Sequence, residues 1–315
     1  IVIVLSHLGF YETDKSFDGY YGDNYLPKVV PGIDLIVGGH TQKHLTSPVK
    51  IGDTYIVQTE GLSKWVGRFD IYLKDKKIVK TDHKLYPVNL KEKKMKDEKV
   101  TYEPVGETFI ENKAMIDMLN GFKCTFSTKQ IGKIDRDLIG DRELSRTQET
   151  ELGNIITDVM REKTGSAAAF MNSGSIRQGL EKGVITEKDV YSVFPFMDTV
   201  FIAELTGYQL QEVLDIFAEK GPGSPGFLQI SGIGVKLFKG SALEITVNGK
   251  PLDKKRKYKV AFNSFISGGG DGYTVLKNIT AKKDTGYCIP SILVENLKIK
   301  GTFAKPAEGR IKIVK

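Results

Sequence analysis

No run of apolar residues approaches the roughly eighteen to twenty needed to cross a bilayer, so the chain holds no membrane span. Cysteine is nearly missing: Cys124 and Cys288 lie far apart and show no metal-ligand spacing. One disulfide and two free thiols both remain open, and cysteine usage does not fix the compartment. Histidine is scarce too, with four in 315 residues. Clustered arginine and interleaved aromatic residues, the marks of a nucleic-acid surface, are also lacking. The net charge of +7 comes mostly from scattered lysine, often beside acidic residues. The stretch Lys91 to Lys99 (KEKKMKDEK) shows this pattern and reads as a solvated linker or exposed turn. An initiator methionine is missing as well. The chain begins at Ile1 inside an apolar strand, and it reads as a fragment.

What remains suffices for two domains, each large enough to bury a core. Ile1 to Leu5 and Ile33 to Val37 are short branched apolar runs, each stopped by polar and glycine residues. They predict buried strands of a parallel sheet. Ser6-His7-Leu8-Gly9 follows the first and Gly38-Gly39-His40-Thr41-Gln42 the second, which puts His7 and His40 at strand carboxyl ends, where open α/β sheets place ligands. Two imidazoles and the Gln42 carboxamide suit zinc, manganese or a similar ion. They do not complete a site, because a catalytic metal needs at least three protein ligands and a two-metal site needs bridging carboxylates. His44 and His83 have no such setting and read as surface residues.

Further strands are predicted at Tyr55–Gln58, Arg68–Leu73 and Ile78–Leu85, with a short helix within Tyr20 to Val30. After the charged stretch, Glu107 to Leu119 has helical spacing before Gly121, as a connector between domains would. A new unit starts near Phe126. Leu152, Ile155, Ile156, Val159 and Met160 mark a helix with one buried face, stopped at Gly165. Thr206 is a natural N-cap for a helix burying Leu210, Val213, Leu214 and Phe217. Strands are predicted at Ala167–Met171, Phe227–Ile233, Leu243–Val247 and Tyr258–Phe262.

Three segments of this unit carry chemistry. Asn172-Ser173-Gly174-Ser175-Ile176-Arg177 follows a strand. Its small residues, amide and guanidinium suit an oxyanion, onto which arginine forks. In Phe194-Pro195-Phe196, Phe194 reads as core, while proline can project Phe196 from a loop. Asn263 to Gly272 (NSFISGGGDG) allows positive φ and close approach, and Asp271 can accept from a vicinal diol. Its spacing is not GxGxxG, so it is no Rossmann loop.

In combination and in this order, SHLG, GGHTQ, the Asn172 loop, the Pro-Phe pair and GGGDG resemble the 5′-nucleotidase family of metallophosphoesterases, over essentially the whole chain. The resemblance implies an α/β fold: the last part of an α/β/β/α metallophosphoesterase sandwich in residues 1–105, a linker helix in 106–125 and a nucleotide-binding domain in 126–315. It matches His7 and His40 to the two histidines on one metal and Gln42 to a ligand of the other. It matches Arg142, Arg146 and Arg177 to phosphate-gripping arginines, and Asn172 to a residue near the base edge. Phe196 and Phe265 match the rings that sandwich the base, and Asp271 the carboxylate on the ribose hydroxyls. Met197-Asp198 stands where many members carry Gly-Gly or Gly-Asn. The implied activity is hydrolysis of nucleoside 5′-monophosphates with two divalent metal ions, zinc or manganese, in a periplasmic, cell-surface or secreted protein. A 2′,3′-cyclic phosphodiesterase, a nucleotide-sugar hydrolase and a non-catalytic nucleotide-binding module are the alternatives. No catalytic residue is expected in this chain, because the segments flanking the reactive phosphate are absent from it. The expected partner is a nucleotide or nucleoside and not a nucleic acid.

Overall fold

Short apolar segments punctuated by glycine become strands in a computed structural model of the chain, which describes residues 1–14, 20–96, 99–121, 128–306 and 308–314. They belong to two compact units, Ile1–Lys123 and Cys124–Lys315. Among the described residues no helix is long and apolar enough to cross a membrane.

The first unit opens with strand β1 (Ile3–Leu5), a single helical turn α1 (Leu26–Val29), β2 (Leu35–Val37), β3 (Val49–Ile51) and β4 (Thr54–Val57). These strands form one sheet in the order β1-β2-β4-β3, with β1, β2 and β4 parallel. Ile33, Ile36 and Ile56 are its buried centre, and Val4 packs on them. Burial of β1 is only partial, contrary to expectation. It is an edge strand, and the side chains opposite Val4 stay exposed, Leu5 to 82%. Next comes a long hairpin of β5 (Trp65–Lys74) and β6 (Lys77–Pro87). Asp75 and Lys76 both take positive φ at its two-residue turn, the twist that tight hairpins require.

The charged stretch is not a linker. β7 (Lys91–Lys96) and β8 (Lys99–Pro104) pair antiparallel, with Lys94 bridging Glu92 at 3.1 Å and Glu103 at 2.9 Å. Glu92 and Glu103 face each other in register, and Lys94, beside one and diagonal to the other, offsets their like charge across the ladder. Helix α2 (Lys113–Gly121) follows and starts later than its apolar spacing suggests. Asn112 Oδ1 accepts from Met115 N and sets its beginning. His44 is exposed, as expected, beside Trp65, whereas His83 is half-buried against Phe69. Cys124 lies outside the described residues.

In the second unit the elements run β9 (Gln130–Ile134), α3 (Arg142–Ser145), α4 (Glu151–Thr164), β10 (Ala168–Asn172), β11 (Gly183–Thr186), α5 (Glu187–Val193), β12 (Thr199–Thr206) and α6 (Gly207–Lys220). They continue through β13 (Leu228–Ser231), β14 (Ile233–Phe238), β15 (Ser241–Val247), β16 (Lys250–Pro251), β17 (Lys257–Asn263) and α7 (Ser264–Ser267). The last are α8 (Thr274–Asn278), β18 (Lys283–Cys288), α9 (Ile289–Lys300) and β19 (Ile311–Val314). The central sheet has the order β13-β10-β17-β12-β18, and β10 lies parallel to β17.

Successive side chains of a strand face opposite sides of the sheet, and here both sides are buried. Ala168 and Phe170 of β10 face one core with Val260 and Phe262, covered by Leu210, Val213, Leu214 and Phe217 of α6. Ala169, Met171 and Ala261 face a second core, which Ile155, Ile156 and Met160 of α4 cover with Leu293 and Leu297 of α9. The Thr206 side chain accepts from Gln209 N in a capping box, and Gly165 ends α4 in the left-handed conformation. The predicted strand Phe227–Ile233 is two strands. Gly232 breaks it at φ +69°, where a Cβ would meet Ala167 O at 2.4 Å.

Candidate functional site

The His7–His40 pair belongs to the first unit. Parallel pairing of β1 with β2 puts the loops after them side by side, and the two imidazole rings lie edge-on with centroids 5.2 Å apart. His40 takes φ +67°. Gly38 and Gly39 make room for neighbouring side chains. A Cβ on Gly38 would lie 2.4 Å from Asp23 Oδ2, and one on Gly39 would lie 3.1 Å from His7 Nδ1. Asp23, which sequence reading passed over, is fully buried and accepts from the Ser6 hydroxyl through Oδ1, while Oδ2 has no partner. Burial raises its pKa, and the Ser6 hydrogen bond, His40 and His7 oppose that.

Two imidazoles beside a buried, unsatisfied carboxylate oxygen have the donor chemistry of a transition-ion site. In number they are incomplete, for no group of three or more His, Cys, Asp or Glu able to hold a metal ion occurs among the described residues. Gln42 has its carboxamide against Gly61. Buried Gln58 holds the loop between His40 and Gln42: its Nε2 donates to Gly39 O at 2.6 Å, and its Oε1 accepts from the Thr41 hydroxyl and Lys43 N. No local motif marks Gln58, because it lies on a different segment from the loop it fixes.

Strand ends of the second unit gather the other residues. Arg142 and Arg146 sit on the loop that begins with α3, whose N-cap Asp141 accepts from Glu143 N and Leu144 N. Gln229 of β13 anchors this loop from beneath. Its Nε2 donates to Ser145 O and Gln148 O, both at 2.9 Å, and its Oε1 accepts from Thr150 N at 3.0 Å. Gly153, inside α4, makes room for that side chain, since a Cβ there would fall 2.3 Å from Gln229 Oε1. Arg146 is half-buried, and its Nε is buried without a partner. Burial, then the positive charges of Arg142 and Arg177, push its pKa down to about 10, with Asp271 pulling the other way. Burial and Arg142 lower the Arg177 pKa as well.

Arg177 follows the short 3₁₀ turn Ser173–Ser175 at the end of β10, and its guanidinium carbon lies 5.5 Å from the centroid of the Phe196 ring. Phe194 is buried as expected, whereas Phe196 projects and is 59% exposed. Phe265 is 46% exposed and lies against Gly270, where a Cβ would come within 2.6 Å of the ring. Asp271 takes φ +51° between Gly270 and Gly272, and its Oδ2 accepts from Asn172 Nδ2 at 2.8 Å. The structure thus gathers Arg142, Arg146, Asn172, Arg177, Phe196 and Asp271 through contacts or shared electrostatics, and Phe265 joins through the glycine loop. Chemically, three guanidinium groups are gathered with two exposed rings and a carboxylate. Asp198 and Asn263, which lie beneath it, were not singled out from sequence.

Residues 130–278 match the family model "5′-nucleotidase, C-terminal domain". The chain is 33% identical to the trifunctional nucleotide phosphoesterase protein YfkN of Bacillus subtilis (strain 168), over 99% of this chain and 21% of that protein. It is 29% identical to protein UshA of Escherichia coli (strain K12), over 93% of this chain and 58% of that protein. Among solved structures, the 5′-nucleotidase precursor from Thermus thermophilus superposes with a TM-score of 0.70 at 27% identity, covering 90% of this chain and 60% of that one. The chain therefore spans little more than half the length of UshA and a fifth of YfkN.

Proposed function

Since the chain carries a 5′-nucleotidase C-terminal domain and is related to nucleotide phosphoesterases, we propose that its second unit binds the nucleotide substrate of a metal-dependent 5′-nucleotidase. One observation carries this reading: an arginine with a buried, unpartnered Nε stands among two further arginines, next to exposed rings and a carboxylate. A cluster of cations that depress one another's pKa is unfavourable until an anion enters. Arg142, Arg146 and Arg177 hold the phosphate, with Arg146 prepaid in burial and waiting for charge. Phe196 and Phe265 stack on the base, and Asp271 accepts from the ribose hydroxyls. Asn172 lies at the base edge.

In the whole protein His7 and His40 hold one divalent ion, with Gln42 a ligand to a second and Asp23 beside them. When bound, such ions supply an activated water and stabilise the leaving alkoxide. Zinc or manganese fits the nitrogen and oxygen donors. The protein acts in the periplasm, at the cell surface or outside the cell. A second reading, nucleotide binding without turnover, applies to this chain by itself, because no complete group of metal ligands occurs among the described residues.

The test is calorimetry with adenosine and AMP. Phe196→Ala and Phe265→Ala are each expected to weaken adenosine binding by about 1–3 kcal/mol, roughly 5- to 150-fold, the scale of stacking by alanine substitution. Exposed rings leave little cavity when truncated, so melting stays near native. Adenosine affinity unchanged in both variants would end the proposal.

A further inference from the structure

Beneath the loops of Phe196 and Phe265 runs a relay of buried polar side chains. Asp198 is buried, and its Oδ1 accepts from the Ser264 hydroxyl at 2.7 Å. Its Oδ2 lies 3.0 Å from both Asn263 Nδ2 and Ser175 Oγ. Asn263 Nδ2 also reaches Asn172 Oδ1 at 3.0 Å, and Asn172 turns its own Nδ2 to Asp271. An ionised carboxylate only accepts, whereas a carboxamide has one accepting and one donating end. Asp198 therefore decides which way Asn263 faces, and Asn263 holds Asn172 together with the Ser175 hydroxyl, which donates to Asn172 Oδ1 at 2.9 Å, and with Asp271 at the other end. The decision leaves a trace: Asn263 Oδ1 is buried with no partner. A carboxamide oriented by its own needs would not strand its oxygen in the interior. Were Asn263 reversed, its oxygen would oppose both the Asp198 carboxylate and Asn172 Oδ1.

We propose that Asp198 is a positioning residue that orients the carboxamides of Asn263 and Asn172, and through them holds Asp271 to receive the ribose diol. This rests on the nucleoside reading given above. Asp198 itself touches no ligand. Its removal lets Asn263 reverse, so that its oxygen opposes Asn172 Oδ1 and pushes the Asn172 carboxamide out of reach of Asp271.

The readout is the ratio of affinities for adenosine and 2′,3′-dideoxyadenosine, measured by calorimetry on the full chain. The unaltered protein prefers adenosine by about tenfold or more, the scale of a hydrogen-bonded charge. Asp198→Asn, nearly identical in shape, is expected to collapse that preference to within about threefold while dideoxyadenosine still binds on the stacking rings. A merely structural role would weaken both ligands alike and leave the ratio intact. Asn263→Ala, which cuts the relay at its middle, should reproduce the collapse and serves if Asp198→Asn fails to fold. Ser264→Ala removes a donor to Asp198 that lies off the relay, and is expected to preserve the preference. An undiminished preference in Asp198→Asn or Asn263→Ala overturns the positioning role alone. Absence of nucleoside binding by the unaltered protein overturns both that role and the reading beneath it.

Discussion

Arg146 combines burial with like-charged neighbours, and a titration follows from that. With its pKa pushed down to about 10, the guanidinium is charged at neutral pH in the free protein and has lost half of its charge near pH 10. A phosphate dianion binds the charged form better, so proton and ligand support one another. AMP affinity should stay level up to about pH 9 and fall above about pH 10, approaching tenfold per pH unit while only the bound form keeps the proton. Arg146→Gln should bind AMP more weakly and lose this feature, with adenosine as the control in calorimetry. Met197 is a second residue under tension. It holds φ +55°, where its resemblance to the family suggests glycine. Left-handed backbone costs an L residue about 1–2 kcal/mol, more than the roughly 0.5–1 kcal/mol of extra chain entropy that glycine loses on folding. Met197→Gly should therefore stabilise the chain by about 0.5–1 kcal/mol in denaturant unfolding.

At the scale of elements, one side chain from β13 supports the whole arginine loop. Gln229→Leu keeps the bulk and strands Thr150 N, Ser145 O and Gln148 O. Unsatisfied buried groups cost about 1–3 kcal/mol each, with relaxation and water recovering part. A loss of roughly 2–4 kcal/mol in urea unfolding is expected, together with weaker AMP binding as Arg146 loses its fixed position. These dependencies mark where sequence reading stops. Helix α4 was legible because its contacts repeat every three or four residues, and its end because Gly165 needs a left-handed backbone. The β7–β8 hairpin was not, because its cross-strand ion pair, Lys94 to Glu103, joins residues nine apart in a charged run without apolar alternation. His7, His40 and the projecting Phe196 were legible as strand-end and proline-framed residues. Asp23, Asp198 and Gln229 were not, since polar residues that act through partners on other segments carry no local pattern. Arg177 was legible in its small-residue loop, whereas Arg142 and Arg146 were singled out by family resemblance alone.

For the whole molecule, every residue of the proposed nucleotide site lies in the second unit, while His7, His40 and Asp23 lie in the first. The second unit has two cores of its own. Residues 124–315 expressed alone should fold in one cooperative transition and bind adenosine within about threefold of the full chain. A chelator should leave that binding unchanged. The full chain given manganese or zinc should release negligible phosphate from AMP, and robust turnover that a chelator abolishes would mean that a complete metal site is present.

The two cores on either face of one sheet have a further consequence, which concerns error. Phe170 pairs with Phe262, and two and one residues later come Asn172 and Asn263. If β10 slipped by a single residue, Ala168 and Phe170 would exchange cores with Ala169 and Met171, exposing the mistake in both at once. A slip of two residues restores the faces but carries Asn172 about 7 Å from Asn263, beyond any hydrogen bond. The distance between these amides is therefore counted in whole residues and not adjusted continuously. Such a site is copied faithfully or lost outright, and a folding fault is rejected by the interior before it can yield a nucleotide pocket of altered selectivity.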